Sequence, residues 1–371
     1  MSEAHGIRRG RLRDRTAAAG SDAVLVSRPA NVRYLAGGAP PGAVLLLGPE
    51  GPERDLLVCP RTPEGAPVEG RPDETLRVQV LPTTGADAAV AAAGFAAAAG
   101  AGSLAVEEHH LTVARYRALG SAAPRLRLTE LGTSVEQQRI VKDQEELTAL
   151  RTAGEITDQA LGELLESILV GRTERHLALE LERRLVDHGA DAPAFATSVA
   201  TGPNSGRAGH RPTDRRVEEG DFLSVCLGAE FRGYRVEIGR TFVIGTTPAD
   251  WQIELYDLVF AAQRTAREAL APGVEYREVD RVARHQLEAA GYGDALAAST
   301  GHGVGLEIVE DPQLAPSAMG KLDACVPVTV EPGVHLPGRG GVRIDDTLVV
   351  RPEADGGPEL LTITTKELLA L

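Results

Sequence analysis

Between Ser224 and Phe242 the chain reads SVCLGAEFRGYRVEIGRTF, two β-rich apolar runs on either side of a polar turn, with Glu237 inside the second run. Two later runs are built the same way: Glu331 lies in VTVEPG, and Asp345 with Asp346 in GGVRIDDTLVV. A carboxylate buried in an apolar strand is costly unless a cation meets it. Any fold of this chain must therefore bring partners to three separate strand segments. The nearby candidates are Arg343 and Arg240, and the alternative is a metal ion.

Cys226 and Glu237 stand eleven residues apart on the two arms joined through AEFRGY, so a suitable register puts both on one face. Cys226 reads either as a buried small hydrophobe or as a ligand. In STGHGVGLEIVEDP, His302 sits between glycines, which leave an imidazole uncrowded and let the backbone approach a bound group closely.

The rest of the chain divides into two domains, 1–135 and 136–371. From Ala23 to about Thr129, short β-rich runs such as AVLVS, AVLLLG, DLLVC and RVQVL alternate with helical ones, which predicts an α/β unit. The Ala and Gly run from Asp87 is expected to be a small-residue helix packed on a sheet. Beyond Val135, Leu147, Leu150, Ile156, Leu161, Leu164 and Ile168 recur near helical spacing behind a capping box of Asp143 and Glu146. A second helix is predicted from Thr173 to Gly189, and two more over 250–270 and 276–290. Strands over 195–244 and 328–350, interrupted by the loop GPNSGRAGHRPTDRR, complete an α+β unit: a helix-flanked antiparallel sheet.

A formal net charge of −14 argues against nucleic acid as a partner, since phosphate backbones are held by clustered Lys and Arg. No run of eighteen apolar residues offers a membrane span, and the N-terminal segment lacks the apolar core of a secretory signal. Three widely spaced cysteines, Cys59, Cys226 and Cys325, form neither a disulfide framework nor a CxxC site, so a reducing, cytoplasmic setting is expected.

Taken in order, the motifs resemble the pita-bread fold family of prolidases, Xaa-Pro aminopeptidases, methionine aminopeptidases and creatinase. RPANVRYLAGG and LAVEEHHLTVARYRAL are similar to the N-terminal domain of the prolidase branch. The loop and hairpin of 195–245, then GHGVGLEIVEDP, VEPGVHLPG and GGVRIDDTLVV, resemble successive blocks of the catalytic domain. The resemblance implies a homodimer and five metal ligands in the order Asp, Asp, His, Glu, Glu around two divalent ions. Those positions fall here on Cys226, Glu237, His302, Glu331 and Asp345, so two match and three do not. Two substrate histidines of the family fall on Gly209, with His210 beside it, and on Val309.

A thiolate at Cys226 would suit zinc or iron better than hard cations. The altered carboxylate reaches favour a single ion over a bridged pair, so the expected cofactor is one divalent ion (zinc, iron or manganese) or none. Glu237, His302, Glu331 and Asp345 are the expected ligands or acid–base groups. His210, Arg235, His335, Arg343 and Val309 are the expected contacts to a small-molecule or short-peptide substrate. Without the substrate histidines the expected activity is on a C–N or amide-like bond of a small polar compound, as in creatinase, which the family likeness presents as working without metal. The alternatives are a metal-dependent Xaa-Pro aminopeptidase or dipeptidase and a binding protein that has lost catalysis.

Overall fold

The computed structural model describes residues 2–48, 51–61, 69–167 and 169–371, so Ile168 lies outside the described residues. Its chain forms two units, Met1–Arg139 and Ile140–Leu371.

The first unit is built on a six-stranded sheet in the order Arg77–Val80, Leu56–Cys59, Val44–Leu47, Ala23–Val26, Ser103–Val106, Arg127–Glu130. Parallel and antiparallel pairings are mixed. The Ala-rich segment is a helix, Ala88–Ala98, capped by Asp87, and its buried alanines 88, 89, 92, 93 and 96 let it lie close on the sheet. The longest element without a counterpart in the sequence expectations is the helix Ser2–Ala18. Its inward face uses arginine: Arg9 reaches Asp55 at 3.0 Å and Asp73 at 2.9 Å, and Arg8 stacks over the Tyr34 ring at 4.1 Å. Apolar periodicity cannot detect such a face.

In the second unit the expected capping box is present, with Asp143 accepting from Glu145 and Glu146 and Glu146 accepting from the Asp143 amide. Helices Gln144–Leu165 and Glu174–Asp187 share an apolar core with the strands Ser198–Thr201, Phe222–Leu227 and Ile238–Val243. Helices Asp250–Glu268 and Tyr276–Ala289 cover a second core with the five-stranded sheet ordered Glu310–Leu314, Gly301–Gly303, Pro327–Val330, Asp346–Val349, Glu359–Leu360. Every pairing in these sheets is antiparallel. A single bridge couples them: Gly239 and Asp345 exchange two backbone hydrogen bonds of 3.1 and 3.0 Å. It brings the end of one acid-bearing strand against the next.

Gly154 shows how tightly the first long helix is seated. A Cβ there would fall 2.1 Å from the Leu361 carbonyl oxygen. Alanine gains about 1 kcal/mol over glycine in an open helix interior. Overpacking against immobile backbone costs roughly 1–3 kcal/mol. Gly154→Ala is therefore expected to lower the urea midpoint at unchanged slope, and a raised midpoint would show that the helix can move aside.

Candidate functional site

The inter-sheet bridge gathers the acids. Cys226 lies opposite Gly239 in the Phe222–Leu227 and Ile238–Val243 ladder, so the hairpin does set it beside the strand that begins after Glu237. Glu237 is held by its backbone: its amide donates to Thr347 Oγ1 at 3.1 Å, and that hydroxyl donates to the Glu237 carbonyl at 2.8 Å. His302 is the middle residue of Gly301–Gly303, between the strands carrying Thr329 and Gln313. Its flanking glycines serve strand packing, since a Cβ on Gly301 would meet the Thr329 carbonyl at 2.1 Å and one on Gly303 the Asp311 carbonyl at 2.3 Å. This corrects the expectation that they make room for a bound group.

Among the described residues, Glu237, His302 and Glu331 each offer one ligand atom within 4.8 Å of the others. His302 Nδ1 lies 3.1 Å from the Gly303 carbonyl, which can only accept, so Nδ1 is the donor. Nε2 then faces Glu237 Oε1 at 3.4 Å and Glu331 Oε1 at 3.6 Å. Glu237 Oε1 is buried and has no hydrogen-bond partner. Three acceptors converging with one of them orphaned call for a proton or a metal ion between them. Donors about 2.0–2.2 Å from one tetrahedral ion would be spaced roughly 3.4 Å apart, so the trio fits such an ion.

Asp345 and Cys226 stand outside this trio. The Arg343 guanidinium takes Asp345, with Nε 2.8 Å from Oδ1, and its Nη2 is paired with Glu331 Oε2. Cys226 is buried, which pushes its pKa well up, only partly offset by Arg343. Of the two readings of Cys226, this burial favours the small buried group over the ligand. Burial, then the Glu331 charge, pushes Glu237 up to about 8. Burial also raises Asp345 to about 6, against the pull of Arg343.

Most of the residues expected at the substrate end already have protein partners. His210 Nε2 lies 2.9 Å from Glu174, a buried carboxylate that also accepts from Thr201, Asn204 and Thr213. Its imidazole therefore anchors the loop, which corrects its expected place on substrate. Arg235 is likewise engaged elsewhere, by Glu230 at 2.7 and 2.9 Å. Arg343 belongs to the acid cluster. His335 presents Nδ1 to the Ser205 carbonyl at 3.2 Å, and burial lowers its pKa, so it is a neutral imidazole. Val309 is 53% exposed and precedes Glu310, which pairs with Gly303 beside His302. Arg240 is the partner of Asp346, at 2.8 Å in the interior, and also binds the carbonyls of Gly239 and Asp345. Thr347 and Glu174, which organise the site and its loop, carry no signal in the sequence beyond being polar residues near apolar runs.

Comparison with known proteins identifies the family. Residues 148–352 match metallopeptidase family M24, and residues 8–141 match the creatinase/prolidase N-terminal domain. The chain is 39% identical to an Xaa-Pro dipeptidase of Pyrococcus furiosus over 235 residues, which is 63% of this chain and 66% of that one, just under two thirds of its length. It is 31% identical to the uncharacterized peptidase YqhT of Bacillus subtilis over 366 residues, 97% of this chain and 99% of that one. The solved Xaa-Pro dipeptidase from Bacillus anthracis superposes with a TM-score of 0.90 at 31% identity, covering 99% of this chain and 100% of that one. With a creatinase/prolidase-type domain ahead of a pita-bread domain, the chain belongs to metallopeptidase family M24.

Proposed function

We propose that the protein is a metal-dependent hydrolase of short peptides, acting on Xaa-Pro dipeptides. The observation that carries this is the trio Glu237, His302 and Glu331 with its orphaned, buried Glu237 oxygen. The Xaa-Pro dipeptidases among its relatives favour a peptide substrate over the small C–N compound that the altered ligands first suggested.

Glu237, His302 and Glu331 would hold the ion, which when bound supplies an activated water and Lewis acidity toward the scissile carbonyl. The chain's own groups do the rest. Asp345, near its titration point and hydrogen-bonded by Arg343, can take and return a proton at neutral pH. Neutral His335 has Nδ1 committed to Ser205, which leaves Nε2 as an acceptor for a substrate N–H. Val309 offers an apolar surface suited to a proline ring. Valine cannot donate to an oxyanion, and one missing donor costs roughly 3–4 kcal/mol of transition-state stabilisation, so turnover is expected to be slow.

One feature favours a metal-free reading: a Glu237 protonated near neutrality is the acid that creatinase-like chemistry would need. Assay of Xaa-Pro dipeptides with chelator, and with added Mn²⁺, Co²⁺ or Zn²⁺, separates the two. Hydrolysis that appears only with metal supports the peptidase. Turnover of no dipeptide under any of these conditions removes it. Free cysteines at 59, 226 and 325 suit the reducing, cytoplasmic location included in this reading, and a homodimer by sedimentation would fit the prolidase branch. Among the described residues, no helix is long and apolar enough to cross a membrane.

A further inference from the structure

We propose that this site holds a single divalent ion, at Glu237, His302 and Glu331, and that the Arg343 guanidinium serves as its second, built-in cation. The inference rests on the metal-dependent reading above and deepens it. Beside the trio lie Asp345 and Cys226, and Asp345 is already paired with Arg343. Arg343 Nε binds Asp345 at 2.8 Å and its Nη2 binds Glu331 Oε2. Among the described residues, the ligand atoms that converge are those of Glu237, His302 and Glu331, and Cys226 is not one of them.

Charge balance points the same way. Glu237, Glu331 and Asp345 carry three negative charges when ionised and Arg343 one positive, leaving two for one divalent ion to neutralise. A second ion would leave the cluster with two excess positive charges unless Arg343 withdrew. Withdrawal would strip its partner from Asp345, which is 0% exposed, and removing one member of a buried pair is strongly unfavourable. Asp345 also cannot swing away, because its backbone is bridged to Gly239, where even a Cβ would fall 2.0 Å from Asp345 Oδ2. Glu331 thus becomes the shared group, with Oε1 turned to the ion and Oε2 to the guanidinium.

The test is Co²⁺ titration of the full chain, read by elemental analysis and by near-ultraviolet absorption, in which cobalt bound to thiolate gives an intense band. The wild-type chain is expected to take one Co²⁺ without that band. Arg343→Met should take two and show the band, and adding Cys226→Ser should remove it. A wild-type chain that takes two ions or none, or shows the thiolate band, overturns the inference, as does a folded Arg343→Met that still takes one. Should Arg343→Met fail to fold, Cys226→Ser alone decides. Co²⁺ affinity within about threefold of wild type is expected, and a loss of about tenfold or more would make Cys226 a ligand and sink the inference. The peptidase reading fails separately: one ion bound with these signatures but no dipeptide hydrolysed removes that reading and leaves this one standing.

Discussion

Glu331→Gln is expected to lower divalent-ion affinity by more than about a hundredfold and to abolish metal-dependent hydrolysis. The two oxygens of Glu331 face different cations, Oε1 toward the His302 trio and Oε2 toward Arg343. An amide has one oxygen. If it faces the ion, its NH₂ is pressed against the guanidinium, donor against donor; if it faces Arg343, the NH₂ points into the metal position. Either rotamer loses an interaction that a buried charge cannot easily do without. Asp345→Asn is expected to weaken ion binding less, by roughly ten- to a hundredfold, since it acts on the ion through Arg343 and Glu331. Calorimetric titration with Mn²⁺ or Co²⁺, beside far-ultraviolet dichroism to show that both variants fold, checks the order. Equal losses in the two variants would mean that Asp345 is itself a ligand. Unchanged affinity in Glu331→Gln would remove the trio as a metal centre.

How much of this was readable beforehand depends on the range over which each residue finds its partner. Features set within a few residues were plain: the Asp143 and Glu146 capping box, the helix ended near Gly189, and the alanine helix behind Asp87. The order of the acids also survives folding: the pairing of Val330 with Asp346 sets Glu331 beside Asp345, and the sheet bridge to Gly239 brings Glu237 to them. What could not be read was the assignment of cations to acids. Arg240 and Arg343 were both available to the strand carboxylates, and only the three-dimensional register gives Asp346 to the first and Asp345 with Glu331 to the second. His210 was placed at the substrate by its position beside a family histidine, and its partner Glu174, 36 residues away on a helix, could not be read from that loop. The Ser2–Ala18 helix escaped for a related reason, as a face that buries arginines against Asp55 and Asp73 looks like a solvated one. In each case the missing information was a long-range ion pair, which leaves no periodic trace in sequence.

Removing the metal should reverse the way stability responds to pH. In the metal-free fold, Glu237 holds its proton up to about 8, whereas in the unfolded chain it releases it near 4.5. Asp345 behaves alike, at about 6 against 3.8. Between those values the folded state binds more protons than the unfolded one, so each rise in pH draws the equilibrium toward unfolding. The contribution is present below about pH 4 and is lost by about pH 8, on the order of a few kcal/mol in all. A divalent ion competes with the same proton. Its apparent affinity is expected to rise with pH, by up to tenfold per unit, until Glu237 is ionised, and ligand-linked stabilisation rises with it. The gap in melting temperature between Mn²⁺-loaded and chelator-treated protein should therefore widen from about pH 5 to pH 8. Glu237→Gln, which has no proton to exchange, should flatten the metal-free slope and close the gap together. Parallel melting curves for loaded and stripped wild type across that range would show that the buried carboxylates and the ion do not compete for one site.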